Sequence, residues 1–121
     1  MDWSFRSFVH QVMPVALKDG IAVQTMKPMG DGILLQSKTV TPTECLQYAL
    51  SQPTSVVIHG MEKPEYLDHA LEVVKNFKPL SNAQIEALTA KAKPAAMTGK
   101  YEKFKTGNQF DSTAKHPEWL G

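Results

Sequence analysis

The chain has 121 residues, 42% of them hydrophobic and 21% charged, and its 13 basic and 12 acidic residues leave a formal net charge of +1. This length allows one ordinary domain, and the balanced charge argues against a nucleic-acid binder. No apolar run approaches the roughly 20 residues that cross a bilayer, and the first residues do not resemble a signal sequence. We therefore expect a cytoplasmic protein with no nucleic-acid or membrane partner.

The first helix is predicted from apolar residues that recur at helical spacing and that should face the core. It should end at Gly20, and Pro14 either kinks it or stands in the first turn of a restarted helix. The residues of this stripe are Phe5, Phe8, Val9, Val12, Met13 and Ala16.

The second helix begins with a capping box at Thr41 and Glu44 and is closed by Pro53. Its inward residues should be Cys45, Leu46, Ala49 and Leu50. Because the single cysteine, Cys45, lies on that inward face, we interpret it as a buried small side chain and not as a nucleophile.

A third helix should start at Pro64 and stop before Pro79, and a fourth should start at the Ser81 capping box and end before Pro94. The expected inward residues of the third are Leu67, Ala70, Leu71, Val74 and Phe77, and those of the fourth are Ile85, Leu88 and Ala92. Periodicity is lost after residue 94. We therefore divide the chain into a folded part, 1–94, and an irregular tail, 95–121, that either docks or is disordered.

Two strands are predicted, from Ile21 to Met26 and from Thr54 to Ile58. The second is a continuous β-branched run, which is typical of a strand buried on both faces of a parallel sheet. Strands that alternate with helices indicate right-handed crossovers between parallel neighbours. Two such strands cannot enclose a core, so the pattern indicates a piece of something larger.

Ligands of parallel sheets bind beyond the carboxyl ends of the strands, here 27–32 and 59–63. In the first loop Gly30 and Gly32 allow backbone N–H groups to converge on an anion, and Lys27 supplies a positive charge. A plain turn uses the same residue types. The four histidines are too scattered to predict a metal site, and Glu65 with His69 is better explained as a surface ion pair.

The chain resembles the C-terminal part of an aldo-keto reductase. The resemblance rests on the order and spacing of several segments and covers roughly residues 7–93, together with the ending 110–121. The segments are Gly20–Val23, Met26–Gly32, Tyr48–Leu50, Pro53–Gly60 and Phe77–Ser81.

The resemblance implies an α/β fold that is a partial (β/α)8 barrel: its last two βα units, strands seven and eight, followed by a C-terminal helix and an irregular tail. It also implies that the two loops hold NAD(P)H. The implied cofactor-binding residues are Met26, Lys27, Pro28, Met29, Gly30, Asp31, His59, Gly60 and Met61. Three departures accompany it: Met26 offers no ring to stack on the nicotinamide, and Tyr66 and Ala70 stand where the family often has Arg and Asn, so a preference for NADP over NAD does not follow.

The family's catalytic Tyr, Lys, Asp and His have no counterpart here, so we expect no catalytic residues, no carbonyl reduction and weak or no cofactor binding by this chain alone. Our interpretation is a truncated NAD(P)H-dependent aldo-keto reductase that retains part of the cofactor-phosphate cradle. One alternative is a non-catalytic interaction module that pairs its exposed strand edges with another chain or a second copy. Another is a small autonomous α/β enzyme of unrelated activity, for which no complete catalytic set is visible.

Overall fold

The computed structural model describes residues 8–101 and residue 116. The described part starts with a π-helical turn, Phe8–Val12, and has a 3₁₀ helix at Leu34–Ser37. Within the described part, the α-helices are α1 (Met13–Lys18), α2 (Pro42–Leu50), α3 (Pro64–Lys75) and α4 (Asn82–Ala96), and the strands are β1 (Gln24–Met26) and β2 (Val56–Ile58).

The two strands pair in parallel, as the alternation of strands and helices predicted. Gln24 lies opposite Val56 and Met26 lies opposite Ile58. Each strand has three residues and one neighbour, so each leaves its outer edge unpaired within the described residues.

The predicted (β/α)8 barrel architecture is wrong. Over residues 8–101 the chain is a small α/β fold with four α-helices and only two short parallel strands, and barrel units with strands seven and eight are not evident. Strand and helix alternation determines how two neighbours pair, whereas closure of a barrel needs many long strands that curve and stagger together. The described chain has two strands of three residues each, so it has neither the strand length nor the number of strands that a barrel needs.

The core lies on one side of the sheet, between the sheet and two helices. Leu46 of α2 packs with Ala70 and Val73 of α3, and Leu50 and Val57 lie partly buried against them. Among residues 8–101 the opposite side of the sheet has no covering element, and Val56 and Ile58 each remain 47% exposed. The expectation that β2 is buried on both faces is therefore wrong.

The N-terminal segment differs from its predicted amphipathic helix. Pro14 stands in the first turn of α1, so the restarted helix is the correct alternative. Of the predicted inward face, Met13 is buried, whereas Phe8 and Val12 are about half exposed, at 52% and 49%. The prediction for Phe5 lies outside the described residues.

Both capping boxes are confirmed. The Thr41 hydroxyl accepts from the Glu44 N–H, and the Ser81 hydroxyl accepts from the Gln84 N–H. The predicted core face of α2 is also correct, since Cys45, Leu46 and Ala49 are buried. Capping and α2 periodicity are local signals, which explains why they could be identified from sequence.

Helix α4 continues through Pro94 to Ala96, three residues beyond the predicted end before Pro94. Proline removes one helical hydrogen-bond donor and crowds the preceding turn. Pro94 lies in the last turn of α4, where the burial of Ala92 and Ala96 against the rest of the fold stabilises the helix. Beyond Ala96 the predicted tail is described only at 97–101 and at His116, so its aromatic residues Phe104, Phe110 and Trp119 lie outside the described residues.

The inward face of α3 is rotated from the predicted one. Ala70 and Val73 are buried, whereas the predicted inward residues Leu67, Leu71 and Val74 are 43%, 47% and 54% exposed. The periodicity of this helix is compatible with either face, and its contacts with α2 select the smaller residues.

Candidate functional site

The carboxyl ends of β1 and β2 lie side by side. Met26 and Ile58 are register partners, and the N–H of Lys27 donates to the carbonyl of Ile58 at 3.3 Å. The two predicted cofactor loops, 27–32 and 59–63, therefore leave the sheet from the same edge. This edge is where ligands of parallel sheets bind.

The loop after β1 is a series of tight turns in left-handed backbone conformation. Lys27, Gly30, Asp31 and Gly32 have φ angles of +53°, +57°, +56° and +79°. Gly30 is buried, and a Cβ built there would lie 3.3 Å from Cγ of Leu34. Its backbone thus lies where a side chain has little space, and two non-glycine residues hold a conformation that costs free energy.

Two backbone N–H groups of this loop have no acceptor among the described residues. The N–H groups of Gly30, Gly32 and Ile33 donate to carbonyls within the loop. By contrast, the N–H groups of Met29 and Asp31 donate to no acceptor in the described part of the chain. Backbone N–H groups of loops in left-handed conformation bind phosphate oxygens in other proteins, so these two groups are candidate donors to an anion.

Lys27 is not a free cation. Its Nζ lies 2.7 Å from Oδ2 of Asp31, and both side chains are mostly exposed, at 58% and 64%. A phosphate at this loop would therefore share the ammonium with a carboxylate that repels it. The sequence prediction missed this pair, although opposite charges four residues apart were the signal available.

The loop after β2 offers weaker features. His59 is half-buried, and burial of its ring, with a smaller effect of His69, lowers its pKa below the ordinary value. Gly60 and Met61 are exposed. The N-cap of α3 is Lys63, whose side chain makes no capping hydrogen bond. A neutral histidine at the strand end does not add positive charge to the site.

The remaining predicted cofactor residues lie at the start of the first loop or directly before it. Met26 ends β1 with 61% of its surface exposed, and Pro28 and Met29 are half-buried. The structure thus places all nine predicted residues at one edge of the sheet: Met26 at the end of β1 and the other eight in the two adjacent loops. This placement does not by itself test whether they bind a cofactor.

Other chemistry-bearing residues do not form a second site. In residues 8–101 and 116, no three His, Cys, Asp or Glu side chains are grouped so that they could hold a metal ion. Burial raises the pKa of the Cys45 thiol, and the side chain is only 1% exposed, so the thiol is protonated and inaccessible. His69 is used structurally, since its Nε2 lies 2.9 Å from the Thr43 hydroxyl.

Comparison with known proteins identifies no relative: no family model, curated protein or solved structure matches the chain. Among the described helices, none combines the length and apolar character needed to cross a membrane. The function must therefore be argued from the site itself and from the resemblance of its segments.

Proposed function

We propose that this chain provides part of the phosphate-binding cradle for NAD(P)H in a carbonyl reductase of the aldo-keto reductase type. The observation that carries the proposal is the pair of free N–H groups at Met29 and Asp31, next to Lys27, at the shared carboxyl edge of two parallel strands. The resemblance of this loop to the family's cofactor loop supports the same assignment.

The residues present fit the phosphate end of such a cofactor. The two amides and the Lys27 ammonium would contact phosphate oxygens. The absent side chain at Gly30 lets the loop backbone pack closely against Leu34, which maintains the shape of the loop. When bound, the nicotinamide supplies a hydride to a carbonyl carbon. The alkoxide that forms then needs a proton donor, and we propose that this donor lies outside the residues of this chain.

The proposal predicts weak cofactor binding, with a dissociation constant on the order of 1 mM, because few contacts are provided. A titration of the ¹⁵N-labelled protein with NADPH, followed by NMR, should shift the amide signals of Met29, Gly30 and Asp31. Shifts confined to other parts of the protein, or no shifts at concentrations well above 1 mM, would overturn the proposal.

The chain offers a matched control for the lysine. Lys38 is also exposed and also has a left-handed backbone, with φ of +56°. Lys27→Ala should abolish the NADPH-dependent shifts, whereas Lys38→Ala should leave them unchanged. Equal losses in both variants would indicate general charge attraction.

A second candidate function is favoured by the open sheet. Because β1 and β2 each have one unpaired edge among residues 8–101, another chain could add a strand by β-augmentation. We propose this interaction role as the alternative to the cofactor role. Hydrogen exchange at 24–26 and 56–58 should slow as the protein concentration rises if copies pair there, and exchange that does not change with concentration would reject self-pairing at these edges.

We also propose a cytoplasmic location, which is supported by the presence of a single cysteine and therefore of no internal disulfide framework. Fractionation of the producing cells, followed by detection of the protein with an antibody, tests this location. Recovery with the secreted fraction would contradict it.

A further inference from the structure

The outer face of α3 is an apolar stripe that nothing covers within the described residues. Leu67, Leu71 and Val74 recur at four- and three-residue spacing and are 43%, 47% and 54% exposed. With about 100° per residue, this stripe lies roughly a quarter turn around the helix from Ala70 and Val73, which face the core. The helix therefore has two apolar faces, and only one of them packs against other residues in the described part of the chain. We call Leu67, Leu71 and Val74 the outer stripe.

The charges beside the outer stripe are arranged by sign along the helix. Asp68 and Lys75 lie on the same flank of the stripe, with Asp68 in the N-terminal half and Lys75 at the C-terminal end. Both side chains are exposed, and no ion pair involves either of them among the described residues. Glu65 and Lys78 extend the same polarity, acidic first and basic last.

This polarity fits an antiparallel copy of the same helix. When two copies of α3 cross at Leu71, Leu67 of one copy meets Val74 of the other, and the same flank of each helix faces the same flank of its partner. Asp68 of each copy then faces Lys75 of the other, giving two symmetric ion pairs. A parallel two-fold arrangement would instead bring opposite flanks together, so Asp68 of one copy would not face Lys75 of the other.

We propose that the outer stripe of α3 is a self-association surface, on which a second copy of this chain packs antiparallel about a two-fold axis. The formal net charge of +1 imposes little repulsion between copies. The interface is isologous, as expected for a closed dimer. This surface is separate from the strand edges and does not depend on cofactor binding.

The dimer should be weak. The helix of 12 residues is about 18 Å long, so it buries less than the roughly 800 Å² per partner of a standard stable interface. We expect a dissociation constant on the order of 100 µM. Sedimentation equilibrium of the full chain from about 10 µM to about 1 mM covers this range.

A charge-swap experiment tests the arrangement. Asp68→Lys and Lys75→Glu should each weaken the dimer about tenfold, because each change turns two attractive pairs into repulsive ones. The double variant should return the dissociation constant to within about twofold of the original, since the pairs are restored with reversed sign. Glu86→Lys on α4 changes the net charge as Asp68→Lys does and should have no effect, since Glu86 is exposed on another helix.

The apolar contact has its own matched pair. Leu71→Glu should remove dimerisation, whereas Leu17→Glu on α1 should not, although Leu17 is equally exposed at 45%. Circular dichroism checks that each variant remains folded. A chain that stays monomeric to about 1 mM, a double charge swap that fails to restore association, or equal losses for the two leucine variants would each overturn the proposal.

Discussion

Val73 and Val74 are adjacent valines of α3 that lie in opposite environments. Val73 is 7% exposed and packs with Leu46 and Ala70, whereas Val74 is 54% exposed on the outer face. Substitution by alanine removes the same two methyl groups from each. The difference between the two losses in the free energy of unfolding therefore measures which face of the helix is buried.

The expected magnitudes follow from these exposures. Two buried methyl groups contribute about 1.6 kcal/mol, and the space left behind adds up to about 1 kcal/mol. Alanine regains about 0.5 kcal/mol of helix propensity at either position. Val73→Ala should therefore lower the free energy of unfolding by about 2 kcal/mol. Val74→Ala should change it by less than about 0.5 kcal/mol. Because Val74 is half exposed, the transfer loss is only about 0.8 kcal/mol, and the gain in helix propensity offsets more than half of that loss.

Urea denaturation followed by far-UV circular dichroism measures both values. The protein is kept at a few micromolar, on the order of a hundredth of the expected dimer dissociation constant, so that self-association does not contribute. A larger loss for Val74→Ala than for Val73→Ala would refute the rotation of α3 and restore the face that periodicity favours. Equal losses would show that neither face is packed as the structure has it.

Three further predictions concern single groups and the cofactor loop. Because burial lowers the pKa of His59, the folded state resists its protonation, so stability is full above the unfolded value near pH 6.5 and falls below it. His59→Asn should flatten this loss in urea titrations between about pH 7.5 and pH 5. Asp31→Asn keeps a residue type that tolerates φ of +56° and frees the Lys27 ammonium, so NADPH binding measured by NMR should tighten about two- to fivefold. Ser81→Ala should cost about 1 kcal/mol in thermal or urea unfolding and Ser81→Gly only a few tenths, since the lost group is a helix cap.

The ion pair between Glu44 of α2 and Lys91 of α4 predicts how the stability of the protein changes in acid. Burial of Glu44 alone would raise its pKa, but hydrogen bonds from Lys91 and Thr41 outweigh burial and lower it. This stabilisation is therefore present above the unfolded pKa of the carboxyl group and is lost as the pH falls through the folded value. Lys91→Met should reduce the loss of stability on acidification. If the urea midpoint of Lys91→Met fell with decreasing pH as steeply as that of the original protein, this account would be contradicted.

The features of the fold that sequence predicted correctly are mostly those set by interactions between residues close together in the chain. The Thr41 and Ser81 caps, the inward face of α2 and the parallel direction of β1 and β2 are all confirmed. The candidate loops could be named from sequence for the same reason, since glycines and a lysine follow directly after a strand. The Lys27–Asp31 pair and the free amides required the actual backbone angles.

The sequence by itself determined where α2, α3 and α4 start, located two parallel strands that are shorter than predicted, and indicated which loops share an edge of the sheet. Capping, period and the alternation of strands with helices are signals that the chain carries in its order of residues. Tertiary structure alone decided the face of α3 that is buried, the uncovered side of the sheet and the passage of α4 through Pro94. These features depend on which other surfaces compete for each apolar side chain, and burial is a property of the whole packing and not of a residue's place in its helix.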